Sequence, residues 1–302
     1  MSNERKMIYL CLAHMSDEGL EQKYIKEAFD TNWVVPLGPN VNAFEDDLKQ
    51  FVGKDQQGQE KEVVALSAGT AAVHLALIAC GVKAGDEVCV QSFTFCASSH
   101  PITYLGATPV FIDSEPDTWN MDPDLLDKAI LDRIEKTGKK PKAIIPVALY
   151  GMPYDCERIM AVAEKYDIPV IEDAAEGFGS KFRGQVLGTF GKFGVLSFNG
   201  NKMITTSGGG ALVCENAKLK NKVMWYATQA REAYPYYQHE EVGYNYRMSN
   251  ICAGIGRGQM TIANDHIAHH KHVQALYKEL LADVEGVTVH KSPSEDYDSN
   301  YW

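Results

Sequence analysis

Nowhere in this chain of 302 residues is there a run of the roughly 18 consecutive apolar residues that a membrane helix needs. Its first residues, MSNERKMIYLCLAHM, lack the apolar core of a secretory signal. Cysteine is sparse and irregular. The seven (Cys11, Cys80, Cys89, Cys96, Cys156, Cys214 and Cys252) are odd in number and include no CxxC pair, which argues against a disulfide framework or a zinc site and suits reduced thiols. Basic residues are outnumbered, 29 Lys and Arg against 40 Asp and Glu, and the formal charge of −11 would repel nucleic acid or an anionic membrane at long range. A small anion can still be held by local donors. No metal site is expected either, because His266, His269, His270 and His272 share a polar helical stretch and read as a solvated face. There is no GxxxxGK[ST] loop, and no GxGxxG follows a first strand. These absences predict a soluble, cytoplasmic protein that binds neither nucleic acid nor membrane.

What is present is an alternation of short β-branched runs with amphipathic stretches, in a chain that is 45% hydrophobic. Predicted strands are 63–66, 87–91, 108–112, 143–147, 169–172, 195–198 and 210–214. Predicted helices include 70–80, 123–129 and 154–165. Such spacing implies an α/β fold with a mainly parallel sheet flanked by helices on both faces. Ligands of such sheets sit at the carboxyl ends of the strands, so the chemistry is sought just after each one. Beyond Arg247 the pattern becomes helical and polar from Ser249 towards Leu281, then suggests a strand at 286–290. The expected organisation is a large domain over 1–250, with an N-terminal arm, and the start of a smaller α+β domain over 251–302, incomplete where the sequence stops at SNYW.

Four segments fall where chemistry is expected. In SFNGNKMITTSGGGALV a single lysine, Lys202, follows a strand end in a small-polar, glycine-rich stretch, where an aldehyde could reach its amine. In VIEDAAEGFGS, Asp173 falls at a strand's carboxyl edge, where a carboxylate can pair with a protonated ring nitrogen; read alone, an Asp after a strand is more often a helix cap. In LSAGTAAVHLAL a strand passes through Ser-Ala-Gly-Thr into an apolar helix whose first N–H groups, with the Thr70 hydroxyl, make a phosphate cradle or simply a cap. In VQSFTFCASSH, Phe95 lies just past a strand end, where a ring can stack on a flat heterocycle or enter the core.

In this order, together with IYLCLAHMSDEGLEQKYIKEAFDTNWVVPLGPNVNAFE, ALYGMP and GYNYRMSNICAGIGRGQ, the segments resemble the sugar aminotransferases of the DegT/DnrJ/EryC1/StrS group across nearly the whole chain. That resemblance implies the fold-type I aspartate aminotransferase architecture and pyridoxal 5'-phosphate as cofactor. It implies that Lys202 anchors the cofactor covalently and shuttles the proton. Asp173 would keep the pyridine nitrogen protonated, Phe95 would stack on the ring, and Gly69, Thr70 and Ser197 would bind the phosphate. Glu176 would lie beside the phenolic oxygen, at a position where Gln or His is common. Asn245 would reach the phosphate of the neighbouring subunit's cofactor, which implies a homodimer, with Arg247 nearby. Ala148 stands where a histidine is common.

The implied reaction moves an amino group from glutamate to a nucleotide-linked 4-keto-6-deoxy sugar, UDP-linked and N-acetylated, for surface glycan synthesis. The alternatives are a sugar dehydratase of the same fold, against which Lys202 speaks because those enzymes carry histidine there, and a non-catalytic homologue that binds the cofactor without turnover.

Overall fold

The computed structural model describes Met7 and residues 14–302; the rest of the expected N-terminal arm lies outside the described residues. Helices α1 (Leu20–Asp30) and α2 (Pro39–Val52) precede the first strand, β1 (Glu62–Leu66). Helix α3 (Gly69–Ala79), strand β2 (Glu87–Gln91), the short α4 (His100–Tyr104) and β3 (Thr108–Ile112) follow. Next come α5 (Pro123–Thr137), β4 (Ala143–Ile145), α6 (Cys156–Tyr166) and β5 (Ile171–Asp173). A small hairpin, β6 (Lys181–Phe182) and β7 (Gln185–Val186), leads to β8 (Phe193–Ser197) and β9 (Gly210–Cys214). The chain ends through α7 (Ala217–Ala227), α8 (Asn250–Met260), α9 (Ala263–Leu280) and β10 (Tyr297–Asp298).

Strands β3, β2 and β4 pair in parallel, while β5, β8, β9 and β1 form a second set in that order. Parallel bridges at Ile144–Val170 and Val147–Asp173 join β4 to β5, so the seven strands run as one sheet. All point the same way except β9, which pairs antiparallel with both β8 and β1. The sheet is therefore mixed rather than purely parallel, and its one reversed strand starts on the last glycine of the run 208–210.

The sequence explains the layering. Strands β8 and β9 are buried at every position, as expected of apolar runs covered on both faces. Helix α3 is apolar nearly all round, and eight of its residues from Ala71 to Ala79 are buried between the sheet and neighbouring helices. Helix α5 begins where the Asp122 side chain accepts from the Asp124 and Leu125 N–H groups, with Pro123 in the first turn, and runs on to Thr137 rather than stopping at 129. Gly138, at φ +70°, ends it.

The helical stretch after Ser249 is two helices, α8 and α9, broken at Thr261 and Ile262. Helix α8 packs very closely on α1 and α2: a Cβ on Gly258 would lie 2.6 Å from the Glu21 nitrogen, and one on Gly256 2.7 Å from the Phe44 ring. The strand expected at 286–290 does not form. Its residues turn through Gly286, and His290 is instead tied by side chains, its carbonyl accepting from Gln274 Nε2 at 2.6 Å and its ring stacking on Trp119 at 4.0 Å. No described strand lies alongside to complete a ladder. Further on, β10 adds to β6, bringing the last residues back onto the main body. Among the described residues no helix is long and apolar enough to cross a membrane.

Candidate active site

A cavity of about 340 Å³ opens at the carboxyl ends of the parallel strands. It is lined by residues that end or follow β1, β2, β5 and β8, including Gly69, Thr70, Phe95, Asp173, Glu176, Ser197 and Lys202. Seven of the eight cofactor-binding positions expected from sequence thus come together. The eighth, Asn245, stands exposed outside this cavity, bridged to Thr228.

One end of the cavity is the start of α3. Its N-cap residue is Ala68, which has no side-chain acceptor, so the first-turn N–H groups are left for a ligand. Gly69 lets this turn approach β8, since a Cβ there would lie 3.1 Å from Ser197 Cβ. Gly210 seals it from behind: a Cβ at this position would lie 2.4 Å from the Gly69 nitrogen.

At the other end is Asp173. Its backbone is fixed to the segment just after β4, donating to the Pro146 carbonyl at 2.9 Å and accepting from the Ala148 N–H at 3.0 Å. Its carboxylate accepts from Ser98 Oγ at 2.6 Å and the Ala175 N–H at 3.2 Å. Burial pushes this carboxyl above its ordinary range, opposed by those two donors and by Lys202. Glu172, one residue earlier, serves the fold instead, accepting from the N–H groups of Gly188, Phe190 and Gly191. Strand alternation separates the two acids.

Lys202 and Glu176 face each other between these ends, Nζ 3.6 Å from Oε1. The other carboxylate oxygen of Glu176 accepts from the Tyr150 N–H at 2.7 Å. Burial raises the Glu176 carboxyl, and the charge of Lys202 is the main influence in the opposite direction. Ala148 is buried against Gly177, where a Cβ would lie 2.7 Å from that of Ala148, so these two segments approach through small residues.

Phe95 is 70% exposed at the cavity mouth, which removes the core alternative for it. Arg247 lies elsewhere: its guanidinium donates to Glu45 at 2.7 Å and to the Ala65 carbonyl at 3.0 Å. Ser98 and Trp302 are among the cavity groups that had no sequence signal. Ser98 is one of several serines in its segment, and Trp302 reaches the cavity only through the tertiary fold.

An uncapped helix start flanked by two hydroxyls suits a phosphate, a buried carboxylate suits a protonated ring nitrogen, and a primary amine between them suits an aldehyde. The residues present therefore fit pyridoxal phosphate, and the fold and cavity define an enzyme of the pyridoxal-phosphate aminotransferase class. Comparison with known proteins places it further. The chain belongs to the DegT/DnrJ/EryC1/StrS aminotransferase family, whose model matches residues 16–302. It is 49% identical over 282 residues to Bacillus subtilis (strain 168) EpsN, a candidate pyridoxal phosphate-dependent aminotransferase, covering 93% of this chain and 70% of that one. It is 38% identical over 296 residues to the GDP-perosamine synthase of Escherichia coli O157:H7, covering 98% and 77%. A solved aminotransferase of this family from Brucella abortus superposes with a TM-score of 0.87 at 32% identity, covering 94% and 74%. The protein is a pyridoxal-phosphate-dependent aminotransferase.

Proposed function

We propose that this enzyme transfers an amino group from glutamate to a nucleotide-linked 4-keto-6-deoxy sugar, UDP-linked and N-acetylated, in the cytoplasm and for surface glycan synthesis. The observation that carries the reading is the amine of Lys202 facing Glu176 in the cavity that also holds Asp173 and the start of α3.

When bound, pyridoxal phosphate supplies an electron sink for the charge left as a proton leaves the carbon that carries the amine. The chain does the rest. The N–H groups at Gly69 and Thr70, with the Thr70 and Ser197 hydroxyls, hold the phosphate. Asp173, held by Ser98, would keep a proton on the ring nitrogen, and Phe95 would stack on the ring. Lys202 would anchor the group, and its amine, when free, would be the base and acid that moves the proton. Glu176 is the charged neighbour that faces this amine whenever it is free. In a homodimer, the exposed Asn245 of one subunit completes the phosphate site of the other.

A second acceptor, a GDP-linked sugar, is favoured by the similarity to GDP-perosamine synthase. The test is sequential. Glutamate should convert the bound cofactor to its amine form, seen in the visible spectrum, and UDP-4-keto-6-deoxy-GlcNAc should then restore it. Restoration by GDP-linked or dTDP-linked keto-sugars alone would defeat the UDP assignment, and no conversion by glutamate would defeat the donor.

A further inference from the structure

We propose that Trp302 is a positioning residue for Lys202, fixing where its amine sits when it is not bonded to the cofactor. The proposal rests on Lys202 being the cofactor's anchor. The face of the indole lies under the amine, with Nζ 4.2 Å from the ring centroid. Its N–H donates at 2.7 Å to the carbonyl of Asn201, the residue next to Lys202. Trp302 thus holds both the tip of the lysine and the backbone from which it springs.

Trp302 is itself fixed. Its backbone N–H donates to Asn300 Oδ1 at 2.9 Å, and Asn300 is completely buried. The Asn300 amide nitrogen donates to the carbonyls of Glu176 at 2.8 Å and Phe178 at 2.9 Å, and its backbone N–H meets Ser180 Oγ at 2.9 Å. One side chain therefore ties Trp302 to the segment that carries Glu176, the other neighbour of the amine. The Trp302 ring also lies nearly parallel to that of Tyr150, whose N–H holds the Glu176 carboxylate. Lys202 accordingly rests between a carboxylate and an indole that are braced against each other.

A free lysine has large rotamer entropy, so an amine held at the cavity reacts faster than one that wanders. The ring could also act oppositely, since an aromatic face favours the charged amine, which cannot attack. The indole N–H bond to Asn201 acts on position alone, and Trp302→Phe removes it while keeping a ring.

The test is covalent capture by cofactor-free protein, a reaction that needs no substrate. The uncharged amine adds to the aldehyde carbon of pyridoxal phosphate, the C–O bond breaks, water leaves and a C=N bond remains. Capture is followed by absorbance, fixed with borohydride and located by peptide mass spectrometry. Trp302→Leu should slow capture roughly ten-fold, and Trp302→Phe by a smaller factor. Non-covalent cofactor affinity, compared between Lys202→Ala and Lys202→Ala/Trp302→Leu, should not differ. Capture at or above the wild-type rate in both variants would overturn the proposal, as would an affinity loss in the background lacking Lys202 that matches the slowing. Should Trp302→Leu not fold, the Phe variant alone decides by the same rate criterion. Absence of any adduct at Lys202 in the wild-type chain would instead remove the anchor assignment, and the proposal with it.

Discussion

Lys202 Nζ and Glu176 Oε1 lie 3.6 Å apart with their side chains only 13% and 11% exposed, so the charge pair at the centre of the cavity is largely withdrawn from water. Both residues follow neighbouring parallel strands, β5 and β8, whose register sets Asp173 beside Val195. The sheet therefore delivers the amine and both acids to one edge, and the turns after each strand aim them inward. Breaking either partner of such a pair leaves a charge in a poorly solvated place.

Lys202→Ala is expected to lower amino transfer by roughly 10²–10⁴-fold, the worth of a positioned proton carrier. The variant should still bind pyridoxal phosphate through the α3 start and Asp173, but borohydride should fix none of it to the chain. Removing the cation also takes away the chief influence holding the Glu176 carboxyl down, so this group should titrate higher still. Single-turnover rates check the first part, the visible spectrum with borohydride trapping the second, and an infrared pH titration of the carboxyl, with Glu176→Gln as its control, the third.

Gly210→Ala tests the cradle without touching a polar group. The added methyl would lie 2.4 Å from the Gly69 nitrogen and 2.5 Å from the Ala68 carbonyl carbon, both backbone atoms that cannot swing away. Overpacking of this kind costs about 1–3 kcal/mol, and here the strain falls on the turn that presents the N–H groups. Cofactor affinity should fall more than the stability of the cofactor-free protein does, as seen by titration and thermal melting. Equal affinity in the variant would mean that the α3 start does not hold the phosphate.

How much of this was legible beforehand follows from which signals are local. Strands β2, β3 and β9 have the bounds that their β-branched runs predict, and Lys202, Asp173 and the Gly69–Thr70 turn stood out because each interrupts an apolar pattern with a small or charged residue. The reversal of β9 was not legible, since its sequence is as apolar as that of a parallel strand. Nor was the loss of the strand at 286–290, where the backbone lacks a neighbour to pair with and side chains tie it down instead. Ser98 and Trp302 were missed for another reason: they meet Asp173 and Lys202 only across 75 and roughly 100 residues of sequence, beyond the reach of periodicity.

Arg247 gives a prediction that separates fold from site. Its guanidinium and the Glu45 carboxylate are each 9% exposed, and Glu45 also accepts from the Ala65 N–H. Arg247→Met should cost about 3–5 kcal/mol by leaving Glu45 charged and unpaired, while Arg247→Met with Glu45→Leu should recover part of that. Denaturant melts of both variants check this. Cofactor affinity should be nearly unchanged in whatever fraction folds, and a large specific loss would return Arg247 to the phosphate site.

Asp173→Asn links the chemistry to pH. Burial raises the Asp173 carboxyl above its ordinary value of 3.8, so over the interval between the two values the folded chain holds a proton that the unfolded chain has released. The folded state is favoured at the acid end of that window, and the advantage is lost as pH rises through the raised value. Asparagine has no such proton to lose and can still accept from the Ala175 N–H and meet the Ser98 hydroxyl. The cofactor-free variant should therefore gain in melting temperature relative to the wild type as pH rises from 3.8 through the raised value. Parallel melting curves across that range would show that the carboxyl is not raised. With cofactor bound the order should reverse, because the wild-type carboxylate then has a cationic partner that asparagine cannot match, and cofactor should stabilise the wild type by more than the variant at neutral pH.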